Sequence, residues 1–134
     1  MIKLIVGRKG SGKTKILLDM VKEGVKNTDG NVVFIDNSDQ HTFELDHSVR
    51  LINAVNYHVT DINSFRGFIA GILAGNYDIT EIYVDAILRI VGRDYDKLGE
   101  MLGKIDEIAK EVKLVFTVSA DLSELPESVT KFIQ

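Results

Sequence analysis

The chain contains no cysteine, no tryptophan, a single proline and no hydrophobic run of membrane-spanning length. Without cysteine there is neither a disulfide framework nor a thiolate metal site, and the cytoplasm is the expected compartment. The one proline, Pro126, lies near the end, so no proline-rich linker divides the 134 residues, and a single domain over 1–134 is expected. Basic charge is also short: sixteen Lys and Arg stand against twenty Asp and Glu, a net charge of −4. That balance disfavours nucleic acid or an anionic membrane as a whole-surface partner. The apolar start Met1-Ile2-Lys3-Leu4-Ile5-Val6 turns polar after a few residues, too soon for a signal peptide or a membrane span.

What is present is globular: 45% hydrophobic and 27% charged residues, with one dense cluster of glycine. Gly7-Arg8-Lys9-Gly10-Ser11-Gly12-Lys13-Thr14 fits G-x-x-x-x-G-K-S/T without a mismatch. A chance match in a chain of this length is expected about half a per cent of the time. The octapeptide follows an apolar strand candidate and opens an amphipathic run at Lys15, the context in which such a loop works. Successive backbone N–H groups and the positive end of a helix can cradle a polyphosphate. Gly7, Gly10 and Gly12 clear side chains from that approach and permit positive φ. Lys13 can reach the β- and γ-phosphates and is expected to face solvent when no nucleotide is bound, while the Thr14 hydroxyl can serve Mg²⁺. These residues resemble the P-loop NTPase superfamily, and the octapeptide its Walker A motif.

Along the chain, Ile16, Leu17, Met20, Val21 and Val25 recur at helical spacing over about 12–26, and Asn31 to Asp36 reads as a buried parallel strand. Residues 37–61 show little periodicity apart from a short strand candidate at Val49 to Ile52. Asn63 to Gly75 reads as a helix with Gly67, Gly71 and Gly75 along one side, expected to lie tight on the sheet or to offer a close-packed face to a second subunit. Thr80 to Ala86 and Lys113 to Ser119 read as strands, and between them Asp94 caps a helix carrying Leu98, Met101, Leu102, Ile105, Ile108, Ala109 and Val112. A final short strand is expected at Val129 to Ile133. This alternation predicts an α/β fold, a three-layer α/β/α sandwich with a mainly parallel sheet. Ligands of such sheets bind at the carboxyl ends of the strands, which places the glycine loop, the polar run after Ile35, Asp85 and Thr117 to Ser119 on one rim.

On that rim Asp85 ends a hydrophobic strand and resembles the Walker B aspartate, which implies a role in holding Mg²⁺. Many hydrolysing members carry a glutamate immediately after it; here that residue is Ala86. The RecA-like branch carries its glutamate just past the second strand, and Phe34-Ile35-Asp36 resembles that strand end. No glutamate follows until Glu44, which leaves Asp36 and Asp39 as the nearby candidate bases. Thr117 and Ser119 occupy the place of a polar sensor in the additional-strand branch, and Ser119 is a candidate nucleotide contact. Arg89 and Arg93 follow the metal strand, where they can act as a phosphate lid or remain surface charges. His41, His47 and His58 fit no compact zinc spacing, so a transition-metal site is not expected. The guanine-specifying Asn-Lys-x-Asp is absent, which leaves ATP as the expected nucleotide.

The resemblance thus implies an ATP-binding protein using Mg²⁺. Its contacts are the backbone from Gly7 through Arg8, Lys9, Gly10, Ser11 and Gly12 to Lys13 and Thr14, with Thr14 and Asp85 on the metal and Lys13, Asp36 and Asp39 as the catalytic candidates. Slow ATP hydrolysis is the leading expectation. A small-molecule or nucleotide kinase and a non-hydrolysing nucleotide-sensing module are the alternatives. A missing glutamate also leaves open a partner protein or a second copy of the chain that completes the site, with no membrane involved.

Overall fold

A computed structural model describes residues 1–133. Five strands, β1 (Ile2–Gly7), β2 (Asn31–Asp36), β3 (Val49–Asn53), β4 (Ile79–Val84) and β5 (Lys113–Ser119), form one sheet in the order β1-β5-β4-β2-β3, every neighbouring pair parallel. The expected α/β sandwich is the fold observed. Strand β5 lies between β1, which leads into the glycine loop, and β4, which leads into Asp85.

Parallel strands buried on both faces read as continuous apolar runs, and alternate residues divide between two cores. Val32, Phe34, Tyr83 and Val115 point to the face covered by α1 (Lys13–Asn27), where they meet Leu17, Leu18 and Val21. Val33, Ile35, Ile82, Val84, Leu114 and Phe116 point to the other face, against α2 (Ile62–Gly75) and α4 (Tyr95–Ala109). Leu17 is wholly buried, and its truncation to alanine is worth about 2–5 kcal/mol. Ile16, placed by its spacing on the buried side, is instead half exposed, because the buried stripe of α1 runs through Leu18.

Local signals set the helix starts. The Asp61 carboxylate accepts a hydrogen bond from the Ser64 N–H while the Ser64 hydroxyl oxygen accepts one from the Asp61 N–H, a reciprocal cap for α2. Asp94 caps α4 as expected, accepting from the Lys97 N–H at 3.1 Å.

Three expectations are corrected. A short helix, α3 (Ile87–Val91), follows Asp85 where no element was read, and Ile87, Leu88, Ile90 and Val91 bury themselves in the larger core. The tail forms α5 (Glu127–Thr130), and the strand expected at Val129 to Ile133 reduces to one bridge between Ile133 and Leu4, with the Leu4 N–H donating to the Phe132 carbonyl at 3.1 Å. The bridge covers the open edge of β1. Finally, Gly67, Gly71 and Gly75 do not lie on the sheet: a Cβ built on each meets nothing within 4 Å. Among the described residues no helix is long and apolar enough to cross a membrane.

Candidate functional site

Sheet register decides which strand ends meet. Gly7 pairs with Ser119, and Ile35 pairs with Val84, so Asp36 and Asp85 emerge side by side one residue beyond a paired position. The glycine loop leaves β1 and turns into α1 through Gly10 at φ 82° and Gly12 at φ 88°, a left-handed geometry that a side chain disfavours. Nothing lies within 4 Å of a Cβ built on either, so the concave side is open to a ligand. The first N–H groups of α1 and its positive end face that opening.

Lys13 does not face solvent as expected. It is 7% exposed, and its ammonium folds back to donate to the Arg8 carbonyl at 2.9 Å and the Ser11 hydroxyl at 3.4 Å. Burial holds the Lys13 ammonium below its ordinary pKa; the negative charge of Asp85 opposes that shift and the positive charge of Arg89 adds to it. Arg8 itself swings outward to pair with Asp121, which ties the loop to the segment after β5.

The Thr14 hydroxyl lies 3.1 and 3.2 Å from the two carboxylate oxygens of Asp85, to which it donates. Asp85 is buried, and its Oδ1 also accepts from the Thr117 hydroxyl at 2.6 Å. The Thr117 oxygen in turn accepts the Ala86 N–H at 2.6 Å, which holds Ala86 at φ 55°, an uncommon position for a residue with a Cβ. Thr117 is therefore committed to positioning Asp85 and the start of α3. The hard oxygen donors of Thr14 and Asp85 fit Mg²⁺, which takes few protein ligands and keeps several waters.

Asp36 is 1% exposed and accepts the Asn37 N–H at 2.7 Å. Burial raises its pKa, the Asn37 N–H opposes that shift, and the neighbouring charge of Asp85 adds to it. Asp39 is exposed, with its carbonyl accepting from Thr42, and is not gathered into the buried cluster. His41, set aside in the sequence because its spacing fits no compact zinc pattern, packs its ring edge-on to Phe34 and sits between Asp36 and Asp85. No spacing rule could find it, since the contact depends on β2 and β4 being neighbours.

A cleft of about 510 Å³ opens over this group, bounded by Lys9, Lys13, Thr14, His41, Asp85 and Arg89. A second cleft of about 460 Å³ shares Lys9, Arg89 and Ser119 with it and extends to Arg93. Arg93 donates to the Ser119 carbonyl and the Tyr95 hydroxyl, both at 3.2 Å, so it braces the rim, while Arg89 is exposed on α3 and lines both clefts.

No protein-family model matches the chain, and no curated protein matches it. Solved structures do. A KaiC-like protein from the hyperthermophilic archaeon Pyrococcus horikoshii superposes with a TM-score of 0.64 at 17% identity, covering 98% of this chain and 68% of the other. The chain has a P-loop NTPase type of fold. Domain III of the replication initiation protein DnaA from Thermotoga maritima superposes with a TM-score of 0.50 at 18% identity, and the chain spans 50% of its length. At such identities it is the path of the chain that is shared, and the side chains of the site must be argued from this protein's own geometry.

Proposed function

We propose that this chain is a cytoplasmic ATP-binding protein that uses Mg²⁺ and hydrolyses ATP slowly. The observation that carries the reading is the join of three parts at one strand rim: the left-handed Gly10 and Gly12, the N-terminus of α1, and the Thr14 hydroxyl set against buried Asp85. Backbone N–H groups and the helix end bind phosphate oxygens, and Lys13 exchanges the Arg8 carbonyl for the β- and γ-phosphates. When bound, Mg²⁺ supplies charge neutralisation at the phosphates, with Thr14 and Asp85 holding it. Arg89 lines both clefts and is the side chain placed to close over the nucleotide.

Slowness follows from what stands beside Asp85. Ala86 has no group to orient water, and its N–H is already engaged by Thr117. Asp36 is the buried carboxylate available for that role, and Asp39 on the surface is the weaker candidate. The same features favour a second reading, a sensor that binds ATP without turning it over and orders the loop at 37–48, since Gln40 and His41 line the cleft.

Calorimetry with Mg-ATP tests binding. The wild type is expected to bind at millimolar ligand or below, and Lys13→Ala to lose roughly 100-fold in affinity, about 2.7 kcal/mol, while retaining its fold. Absence of wild-type binding at millimolar Mg-ATP would sink both readings. Single-turnover hydrolysis over minutes would favour the hydrolase; bound ATP recovered intact after hours would favour the sensor.

A further inference from the structure

Asp36, His41 and Asp85 are all buried and offer three ligand atoms within 4.8 Å of one another. Two neighbouring buried carboxylates repel each other and lose hydration, so a cation between them is strongly favoured. The Lys13 ammonium does not fill that place, because its hydrogen bonds go to Arg8 and Ser11 of its own loop.

Nε2 of His41 is the deciding atom. The side chain is 9% exposed, and among the described residues this nitrogen is buried without a hydrogen-bond partner. It points between Asp36 Oδ2 and Asp85 Oδ2, at 3.7 Å from each. That is too long for a hydrogen bond. It suits two atoms on one ion: with metal–ligand distances of about 2.1 Å, a 3.7 Å gap subtends about 120°, near the trigonal angle and wider than tetrahedral. On the other side of the ring, Nδ1 lies 2.9 Å from Glu44 Oε1. A carboxylate only accepts, so in the neutral imidazole the proton sits on Nδ1 and the Nε2 lone pair faces Asp36 and Asp85. Carboxylates orient metal-binding imidazoles in this way.

We propose that Asp36 Oδ2, His41 Nε2 and Asp85 Oδ2 form a binding site for a divalent transition-metal ion of the Mn²⁺ to Zn²⁺ series. The imidazole nitrogen separates it from the all-oxygen set of Thr14 and Asp85, because nitrogen ligands favour these ions over Mg²⁺. The remaining coordination positions open into the cleft that His41 and Asp85 line. Glu44 acts on the ion only through His41, as a positioning residue. The three ligands all come from this chain, so the site requires no nucleotide and is tested without one.

The nucleotide-free full chain is titrated with Co²⁺, followed by visible absorption, and with Zn²⁺ and Mg²⁺ by calorimetry. One Co²⁺ per chain with a visible band is expected, and Co²⁺ and Zn²⁺ are each expected to bind at least about tenfold more tightly than Mg²⁺. His41→Ala is expected to abolish the band and to weaken Co²⁺ binding about 100-fold, and Glu44→Gln to weaken it about tenfold. His47→Ala, at an exposed histidine, is expected to leave the titration unchanged. Should His41→Ala fail to fold, Asp36→Asn preserves the side-chain volume and is expected to lose the ion as well. The proposal is overturned if the wild type binds no stoichiometric Co²⁺, if Mg²⁺ binds as tightly, if His47→Ala removes binding, or if binding survives loss of His41 or Asp36. Co²⁺ binding in a chain that fails to bind Mg-ATP would overturn the nucleotide reading and leave this site standing.

Discussion

Two glycine-bearing regions of this chain use the same residue to opposite physical ends. In the loop at 7–14, Gly10 and Gly12 hold positive φ, and the turn they make aims α1 at an open concavity. On α2, Gly67, Gly71 and Gly75 are exposed, and the space where their side chains would stand is empty. The first pair serves a backbone geometry that a Cβ would strain. The second set makes no contact within the chain that requires its smallness, and each interior glycine still costs its helix about 1 kcal/mol relative to alanine. A regular spacing of glycines therefore says nothing about close packing until the neighbouring surface is known.

Alanine substitution breaks or sharpens that contrast. The largest effect is expected at Gly12→Ala, where a Cβ at φ 88° strains the loop by about 1–2 kcal/mol and tilts the N–H groups away from the phosphates. Calorimetry is expected to show Mg-ATP affinity falling by about 100-fold or more; an unchanged affinity would mean that the loop does not bind phosphate in this conformation. Next comes Gly99→Ala on α4, a glycine whose role is neither of the two above. A Cβ there would stand 2.7 Å from Ser128 Cβ and 3.1 Å from its carbonyl carbon, so α5 must move. Denaturant unfolding is expected to register a loss of about 1–3 kcal/mol. A neutral outcome would show that α5 is only loosely held. The smallest effect, of opposite sign, belongs to Gly71→Ala: a gain of about 0.5–1 kcal/mol, seen as a rise of about 2–4 °C in the thermal midpoint. If Gly71→Ala instead dissociates a dimer in light scattering, the empty stripe is a subunit contact and the contrast drawn here fails.

The legible parts of the fold were those where one residue's environment repeats along the chain. Helix α4 is the clearest case: Leu98, Met101, Leu102 and Ile105 recur at the helical period and all face one core. Ile108, on the same period, emerges 43% exposed while its neighbour Ala109, the last residue of the helix, is buried, so the core-facing stripe passes through Ile105 and Ala109. Helix α3 escaped notice because its five residues are nearly all apolar, and a run that short has no polar face to reveal a period. The tail at Val129 to Ile133 was read by composition as a strand, yet Pro126 opens a helical turn there and leaves room for only one bridge to β1. In the site, the glycine loop could be read whole because its turn between β1 and α1 is built from consecutive residues. Asp85 could be read from its place at the end of a strand. His41 could not, because its partners are five residues away at Asp36 and on a different strand at Asp85.

By itself the sequence determined the parallel α/β architecture, the glycine-rich turn at Gly7 to Thr14 and the presence of a carboxylate at the end of β4. Each of these follows from local chemistry: hydrophobic period, glycine's freedom at positive φ, and a charge where a buried strand reaches water. Only the tertiary structure decided that β5 intervenes between β1 and β4, that β2 lies beside β4, and that Asp36, His41 and Asp85 therefore share one buried pocket. It also decided that Lys13 folds onto its own loop and that the glycines of α2 face outward. Those outcomes depend on strand order and register, which are set by the free energy of packing two whole faces of a sheet at once, and no stretch of neighbouring residues encodes that sum.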